Sequence, residues 1–192
     1  MLNKKNKLFY FIRKLSEKHL NNILKYKNLN VIYVYNKDDP LNKIIYLRNF
    51  CKKNKVKFYL SNNLKITNYL KPDGIHLPAQ NKRIILNIKK NINIIGTVYN
   101  QMDYYRKICQ GCSAVFLSPI FFTDKYSYNK KLEVMKFNLL SRNWKANVIA
   151  LGGIKNGNIK KVSLTKAIGF GGISFFEELN PAHNLMRAGF YK

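Results

Sequence analysis

Short runs of aromatic and β-branched residues recur along this chain, separated by segments whose apolar residues return every three or four positions. The first pattern is that of a strand and the second that of an amphipathic helix. Leu8–Ile12 reads as a strand and Ser16–Leu24 as a helix with Leu20 and Leu24 on one face. Val31–Tyr35 follows as a strand, and Leu41–Cys51 as a helix whose apolar face holds Ile44, Ile45, Leu47 and Phe50. Lys57–Leu60 is a strand and Leu64–Leu70 a short helix, closed by Pro72, which cannot continue it. Gly74–Leu77 is a strand and Lys82–Ile88 a helical turn. Asn93–Val98 and Met102–Cys109 make the next strand and helix, with Gly111 placed to cap the helix. Ala114–Leu117 precedes a helix at Leu132–Leu140, and Asn147–Leu151 one at Asn158–Leu164. A glycine-rich strand, Ala167–Ser174, ends the pattern.

Strands that alternate with helices imply parallel pairing. Successive strands begin 17 to 33 residues apart, and 192 residues over eight units give a mean of 24. A strand, a helix and two short loops need roughly 23. The pattern therefore predicts an α/β fold, a compact (β/α)8 TIM barrel in a single domain over residues 1–192. An open doubly wound sheet satisfies the same alternation. In a barrel, ligands meet the C-terminal ends of the strands, and phosphate favours the loops after the last two. Gly152-Gly153-Ile154 and Gly171-Gly172-Ile173-Ser174 stand there. Glycines let backbone N–H groups come close to an anion. A tight turn at a strand end would use the same residues, but the repeated Gly-Gly-Ile triplet favours phosphate.

Composition adds a strong charge. Lys and Arg number 35 against nine Asp and Glu, a formal charge of +26. Such a charge invites a nucleic-acid reading. The lysines are spread along the chain, however, and no RRM, KH or zinc-finger pattern is present. The 26 asparagines and the abundant Ile, Tyr and Lys share A/T-rich codons, so genome base composition accounts for the excess. No specific nucleic-acid partner is expected, only weak salt-dependent adhesion to polyanions. No apolar run reaches the 18 or so residues of a spanning helix, so no membrane partner is expected either. Lys4, Lys5 and Lys7 before Leu8–Ile12 imitate a signal peptide, but Arg13 ends the apolar run too early. A cytoplasmic location is expected. Cys51, Cys109 and Cys112 cannot form a disulfide framework. Cys109 and Cys112 have C-x-x-C spacing, which with no second such pair reads as coincidence rather than a redox or zinc site.

Four segments, taken in order, resemble the thiamine phosphate synthase family and the thiazole tautomerases related to it. Asp73-Gly74-Ile75-His76-Leu77 resembles the family's fourth-strand signature, and Ile95-Gly96 its fifth strand. Ser118-Pro119-Ile120-Phe121-Phe122-Thr123 is similar to the sixth-strand motif, usually Gly-Pro-hydrophobic-aromatic-x-Thr. Val148–Ile154 followed by Asn158-Ile159 is similar to the seventh strand and its helix. The resemblance spans roughly residues 30 to 176. It implies a transferase of thiamine biosynthesis that couples 4-amino-2-methyl-5-(diphosphooxymethyl)pyrimidine with thiazole phosphate to give thiamine phosphate and pyrophosphate. Pyrophosphate leaves, a pyrimidine carbocation forms, and the thiazole nitrogen captures it. Such chemistry asks for charge neutralisation on the leaving group and a dry site that aligns both partners. Mg²⁺ is the cofactor the resemblance implies.

Carried over residue by residue, the resemblance assigns the thiazole phosphate to Gly152 and Gly153, supported by Ile173 and Ser174. Thr123 matches the first hydroxyl of a Thr-x-Thr-Lys motif whose second Thr falls on Lys125 and whose Lys falls on Tyr126. The second-strand Gln-x-Arg-x-Lys falls on Tyr33, Tyr35 and Lys37. Lys37, Thr123 and Lys125 are thus the catalytic candidates, and Tyr35, Asn62, Asn81, Gly152, Gly153, Ile173 and Ser174 the substrate-binding ones. The largest departure concerns metal. The family's Asn-Asp pair after the third strand falls on Ser61-Asn62, and its second metal aspartate on Asn81. Neutral amides make a poor Mg²⁺ site. Asp38 and Asp39 are the candidate substitutes unless they simply form a turn before Pro40. Alternatively, Lys37 and Lys125 neutralise pyrophosphate without metal.

The tautomerase reaction needs a histidine near the sixth-strand motif, and none is there. His19 lies on the first helix, His183 near the C-terminus, and His76 reads as a packed structural residue, so tautomerase ranks below synthase. The remaining rival is a diverged barrel that binds a thiazole or other small phosphate, as a regulator or isomerase, without synthase chemistry. Tyr10, Phe11, Tyr33, Tyr35, Phe58 and Tyr59 read as core rather than base-stacking residues, and Glu177 and Glu178 as solvated. Residues 122–131 are placed to form a lid. Homo-oligomer formation is left open.

Overall fold

The computed structural model describes residues 7–83, 92–123 and 131–178. Side chains on a strand alternate between its two faces, and that alternation sorts the core into two parts. In β1 (Lys7–Ile12), Leu8, Tyr10 and Ile12 pack with helix residues, while Phe9 and Phe11 pack in a second cluster formed by strand residues and the two isoleucines that flank the last strand. The same division runs through β2 (Leu29–Val34), β3 (Lys57–Ser61), β4 (Gly74–Leu77) and β5 (Asn93–Val98). It continues through β6 (Ala114–Leu117), β7 (Asn147–Leu151) and β8 (Gly169–Gly172). All eight pair in parallel in chain order, and β8 returns to β1 with Lys7 opposite Gly169 and Phe9 opposite Gly171. The ring is closed, which decides against the open sheet.

Helices cover the outside: α1 (Glu17–Lys25), α2 (Leu41–Lys53), α3 (Leu64–Leu70), α4 (Gln101–Cys109), α5 (Glu133–Ser141), α6 (Ile159–Val162) and α7 (Ser174–Glu177). Polar residues start several of them, because the first N–H groups of a helix have no partner within it. Asn63 Oδ1 accepts from the Ile66 N–H at 2.9 Å, and Asn100 Oδ1 from the Asp103 N–H at 2.9 Å. At α1 the Ser16 N–H donates to His19 Nδ1 at 3.1 Å. Helices α4 and α5 meet at a clamp in the turn before β7. Trp144 stacks on Tyr104 with ring centroids 4.2 Å apart and planes 7° apart, and its Nε1 donates to Gln101 Oε1 at 2.7 Å. The Tyr104 hydroxyl accepts from the Lys145 N–H at 2.9 Å.

Three elements depart from the sequence expectation. The last strand ends at Gly172, because the chain turns at Ile173 into α7 and buries Phe175 and Phe176 against Phe170. The helix expected over Asn158–Leu164 shortens to Ile159–Val162, since the Asn158 amide turns back to the Gly153 carbonyl and the Lys155 N–H. Tyr35 lies beyond β2, which stops at Val34. Of the helical turn expected at Lys82–Ile88, Lys82 and Arg83 are non-helical and the rest lies outside the described residues.

The barrel interior is filled largely by aromatic rings. Phe116 is fully buried and meets Phe9 at 5.1 Å and Phe11 at 5.2 Å, both edge-on. Room for these rings comes from β8, where a Cβ on Gly171 would sit 3.0 Å from Phe11 and 3.1 Å from Phe116. Truncating Phe116 to Ala should leave a cavity at the centre of the barrel and cost about 3–5 kcal/mol. Urea or thermal denaturation of the variant checks this against the parent.

Candidate active site at the barrel mouth

A parallel barrel gathers the C-terminal ends of its strands at one rim. A cavity of about 410 Å³ opens there, lined from β1, β2, β4, β5, β7 and β8 and from the loops after β4 and β6. Its floor is apolar, with Phe11, Val34, Leu151 and Ile173. One polar group is set into that floor. His76 is 5% exposed, with Nδ1 at 2.9 Å from Ser61 Oγ and Nε2 at 2.8 Å from Thr97 Oγ1. Burial, and next the charge of Lys107, push its pKa down to about 3. The imidazole is therefore neutral, and the reading of His76 as a packed structural histidine fits its two hydroxyl partners.

The β7 end of the rim is a tight turn. Gly152 has φ +96° and Gly153 φ +68°, backbone that L side chains rarely adopt. A Cβ on Gly153 would also collide with the backbone of Phe121 and Phe122. The carbonyls of Leu151, Gly152 and Gly153 are taken by Ile120 N–H, Phe121 N–H and Asn158 Nδ2 at 2.9, 3.1 and 2.8 Å. An anion facing this turn meets backbone whose oxygens are already occupied by the protein. Ile173 and Ser174 complete the lining from β8, and Thr123 from beyond β6. Thr123 Oγ1 is buried and has no hydrogen-bond partner among the described residues.

A second cavity, about 770 Å³, adjoins the first and shares Gln80 with it. Lys37, Asn62 and Asn81 lie here, so the structure divides the candidate residues between two adjoining spaces. Asn81 Nδ2 donates to Asn62 Oδ1 at 2.8 Å, and the Arg83 N–H donates to Asn81 Oδ1 at 3.0 Å. Both amide oxygens at the family metal positions thus already accept an N–H. Mg²⁺ selects hard, preferably anionic oxygens in octahedral array, and this donor set does not fit it. Asp38 and Asp39 line neither cavity. Asp39 Oδ2 accepts from the Asn36 N–H at 2.8 Å and its own N–H returns to the Asn36 carbonyl, a turn before Pro40. With burial, the Asp39 carboxylate also holds the Tyr33 phenol pKa up. Among the described residues, no three of His, Cys, Asp and Glu gather as a metal group.

Tyr35 packs against the core between barrel and helices and lines neither cavity. Glu177 and Glu178 are half-buried rather than solvated: Glu177 accepts from the Tyr10 hydroxyl at 3.2 Å, and Glu178 from the Asn156 N–H at 3.2 Å. Cys109 is exposed, whereas Cys112 is buried and its thiol is pushed up to about 12, mainly by burial. Lys125 lies outside the described residues, as do His183 and most of the segment expected as a lid.

Sequence reasoning missed Arg13 and Lys155, two cations on the mouth cavity. Arg13 directly follows β1 and Lys155 follows the glycine turn after β7, and position in a loop beyond a strand's C-terminal end is the signal that would have found them. It also missed Lys107, which is 0% exposed on α4. Its ammonium donates to the carbonyls of Pro78 and Asn81 at 2.8 Å each and to Gln110 Oε1 at 2.9 Å. Burial lowers its pKa. Three oxygen acceptors nevertheless require all three N–H groups of the charged form.

The sequence profile of the family described as "Thiamine monophosphate synthase" matches residues 17–176. A thiamine-phosphate synthase of Pelagibacter ubique (strain HTCC1062) is 30% identical over 139 residues, covering 68% of this chain and 66% of that protein. One from Prochlorococcus marinus (strain AS9601) is 28% identical over 146 residues, 73% of this chain, and the match spans only 40% of that relative's length. Among solved structures, a thiamine phosphate pyrophosphorylase from Pyrococcus furiosus superposes with a TM-score of 0.78 at 18% identity, covering 97% of this chain and 96% of that one. This last likeness is one of fold.

The His76 network predicts an acid sensitivity. The unfolded histidine titrates near 6.5 and the folded one near 3, so between those values the unfolded state binds the extra proton. Stability contributed by neutral His76 is present above pH 6.5 and is lost as pH falls, by about 1.4 kcal/mol per unit well below 6.5. Denaturation from pH 7 to pH 4 should show this slope in the parent. It should be correspondingly shallower in His76→Gln, whatever that variant's offset at pH 7.

Proposed function

The chain belongs to the thiamine monophosphate synthase family, and on that premise we propose that it couples the aminopyrimidine methyl diphosphate to thiazole phosphate, acting in the cytoplasm. The bond between the pyrimidine methylene carbon and the diphosphate oxygen breaks, and pyrophosphate departs with the electron pair. The thiazole nitrogen then donates its lone pair to the methylene cation, giving thiamine phosphate. No proton need be moved at the reacting carbon, which accords with a mouth whose one histidine is held neutral.

The observation that carries this reading is the convergence of three features on one cavity. These are the positive-φ Gly152–Gly153 turn, Ser174, and the buried, unpartnered hydroxyl of Thr123. In this reading the turn, Ile173 and Ser174 seat the thiazole phosphate, with Arg13 and Lys155 beside it. Thr123 supplies a donor towards the departing group, and Lys37 and Lys125 supply charge. The apolar floor of Phe11, Val34 and Leu151 keeps water from the cation. A second reading, a barrel that holds a small phosphate without coupling, is favoured by one observation: the Asn62–Asn81 amide pair at the metal positions.

Coupled turnover separates the two. Purified protein mixed with both substrates should release thiamine phosphate. A folded protein that binds thiazole phosphate and yields no product would leave the second reading standing. Ser174→Glu places a carboxylate against the bound phosphate. At about 4 Å and an effective dielectric of 20 that repulsion is about 4 kcal/mol, roughly a thousandfold in affinity. Isothermal titration with thiazole phosphate should register the loss, while retention on a heparin column stays nearly unchanged.

A further inference from the structure

The loop after β4, residues 78–83, runs past the family's second metal position, and three of its six carbonyls are held by Lys107 and Gln110. Lys107 Nζ binds the carbonyls of Pro78 and Asn81, and Gln110 Nε2 binds those of Asn81 and Arg83 at 3.0 and 2.7 Å. The side-chain oxygens of Asn62 and Asn81 already accept from Asn81 Nδ2 and the Arg83 N–H. The carbonyls that a hard cation would draw together are drawn together instead by one ammonium and one amide. Gly96 makes the space: a Cβ there would lie 2.7 Å from Cδ of the lysine stem.

The ammonium has no carboxylate partner among the described residues. Its neighbour Asp103 bonds Arg106 at 3.1 Å and accepts from the Tyr99 N–H. Within hydrogen-bonding distance the charge of Lys107 therefore meets only neutral oxygens, with Asp103 acting on it from farther off, and it stands directly behind the loop. In front of the loop, Lys37, Lys65, Lys82 and Arg83 line the second cavity, and none of the residues lining it is acidic. Fixed cations behind and in front oppose a divalent cation and favour a multiply charged anion.

We propose that Lys107 takes the place of a divalent cation in this chain, organising the loop after β4 so that the cavity beside Asn62 and Asn81 binds a diphosphate group without metal. The inference rests on the coupling reading above, which supplies the diphosphate. It assigns the leaving-group charge to fixed side chains, with Lys107 as a positioning residue that does not touch the substrate.

The test is calorimetric titration of the full chain with inorganic pyrophosphate, once in EDTA and once in MgCl₂. Binding in EDTA at least as tight as in MgCl₂ is expected. Both Lys107→Met, checked for folding by circular dichroism, and Arg83→Ala, an exposed change, should bind roughly tenfold more weakly in EDTA. Binding seen only with MgCl₂ overturns the metal-free inference and leaves the coupling reading in place. Binding in neither buffer overturns both. A folded Lys107→Met that binds like the parent in EDTA removes the lysine from the account.

Discussion

The interior of an eight-stranded parallel ring has a limited volume, and everything at its mouth is built on how that volume is filled. Here the filling is mostly aromatic. Phe9, Phe11 and Phe116 meet edge-on, and the last strand contributes glycine where those rings need space. The uppermost of these rings also form the cavity floor, because Phe11 both packs on Phe116 and faces the mouth. His76 stands among them, edge-on to both. Interior packing and site shape are therefore one problem. Closure in chain order then brings β7 and β8 beside β1, and with them Gly152, Ser174 and Arg13 to one cavity.

Much of this was legible in the residues. A short aromatic and β-branched run such as Leu8–Ile12 is a local property, so strands could be read off directly. Gly152 and Gly153 were legible because positive φ restricts the residue type. Asn62 and Asn81 were legible as departures from a motif. What escaped was set by contacts between residues far apart in sequence. Lys107 looks like any other lysine of a strongly basic chain, and only the approach of residues 78–83 to α4 makes it an internal cation. Glu177 looked solvated because nothing local announces that Tyr10, 167 positions earlier, donates to it. The end of the last strand was misread because Ile173 and Ser174 suit a strand by composition, while burial of Phe175 and Phe176 turns the chain there.

The electrostatic character of the two cavities follows from which polar atoms the protein uses for itself. Around the β7 turn, successive carbonyls bond to neighbouring backbone and to Asn158. Around the loop after β4, carbonyls bond to Lys107 and Gln110. In both places these oxygens are engaged, and the charged side chains lining the two cavities are cationic. A surface that is basic everywhere has little selectivity. A rim whose acceptors are satisfied internally discriminates, because it can offer an incoming group little except positive charge and N–H donors.

Helix α4 links these regions. On one side it sends Lys107 under the loop after β4, and on another it holds the stacked ring of Trp144. Trp144 is the single tryptophan of a chain with 13 tyrosines. Light absorbed at the red edge of the protein band therefore excites one indole, seated on Tyr104 three residues before Lys107. Helix α4 carries both the tyrosine under that indole and the lysine under the loop. The chain thus carries one built-in emitter, seated on the outer wall of the barrel against the helix that also reaches the rim.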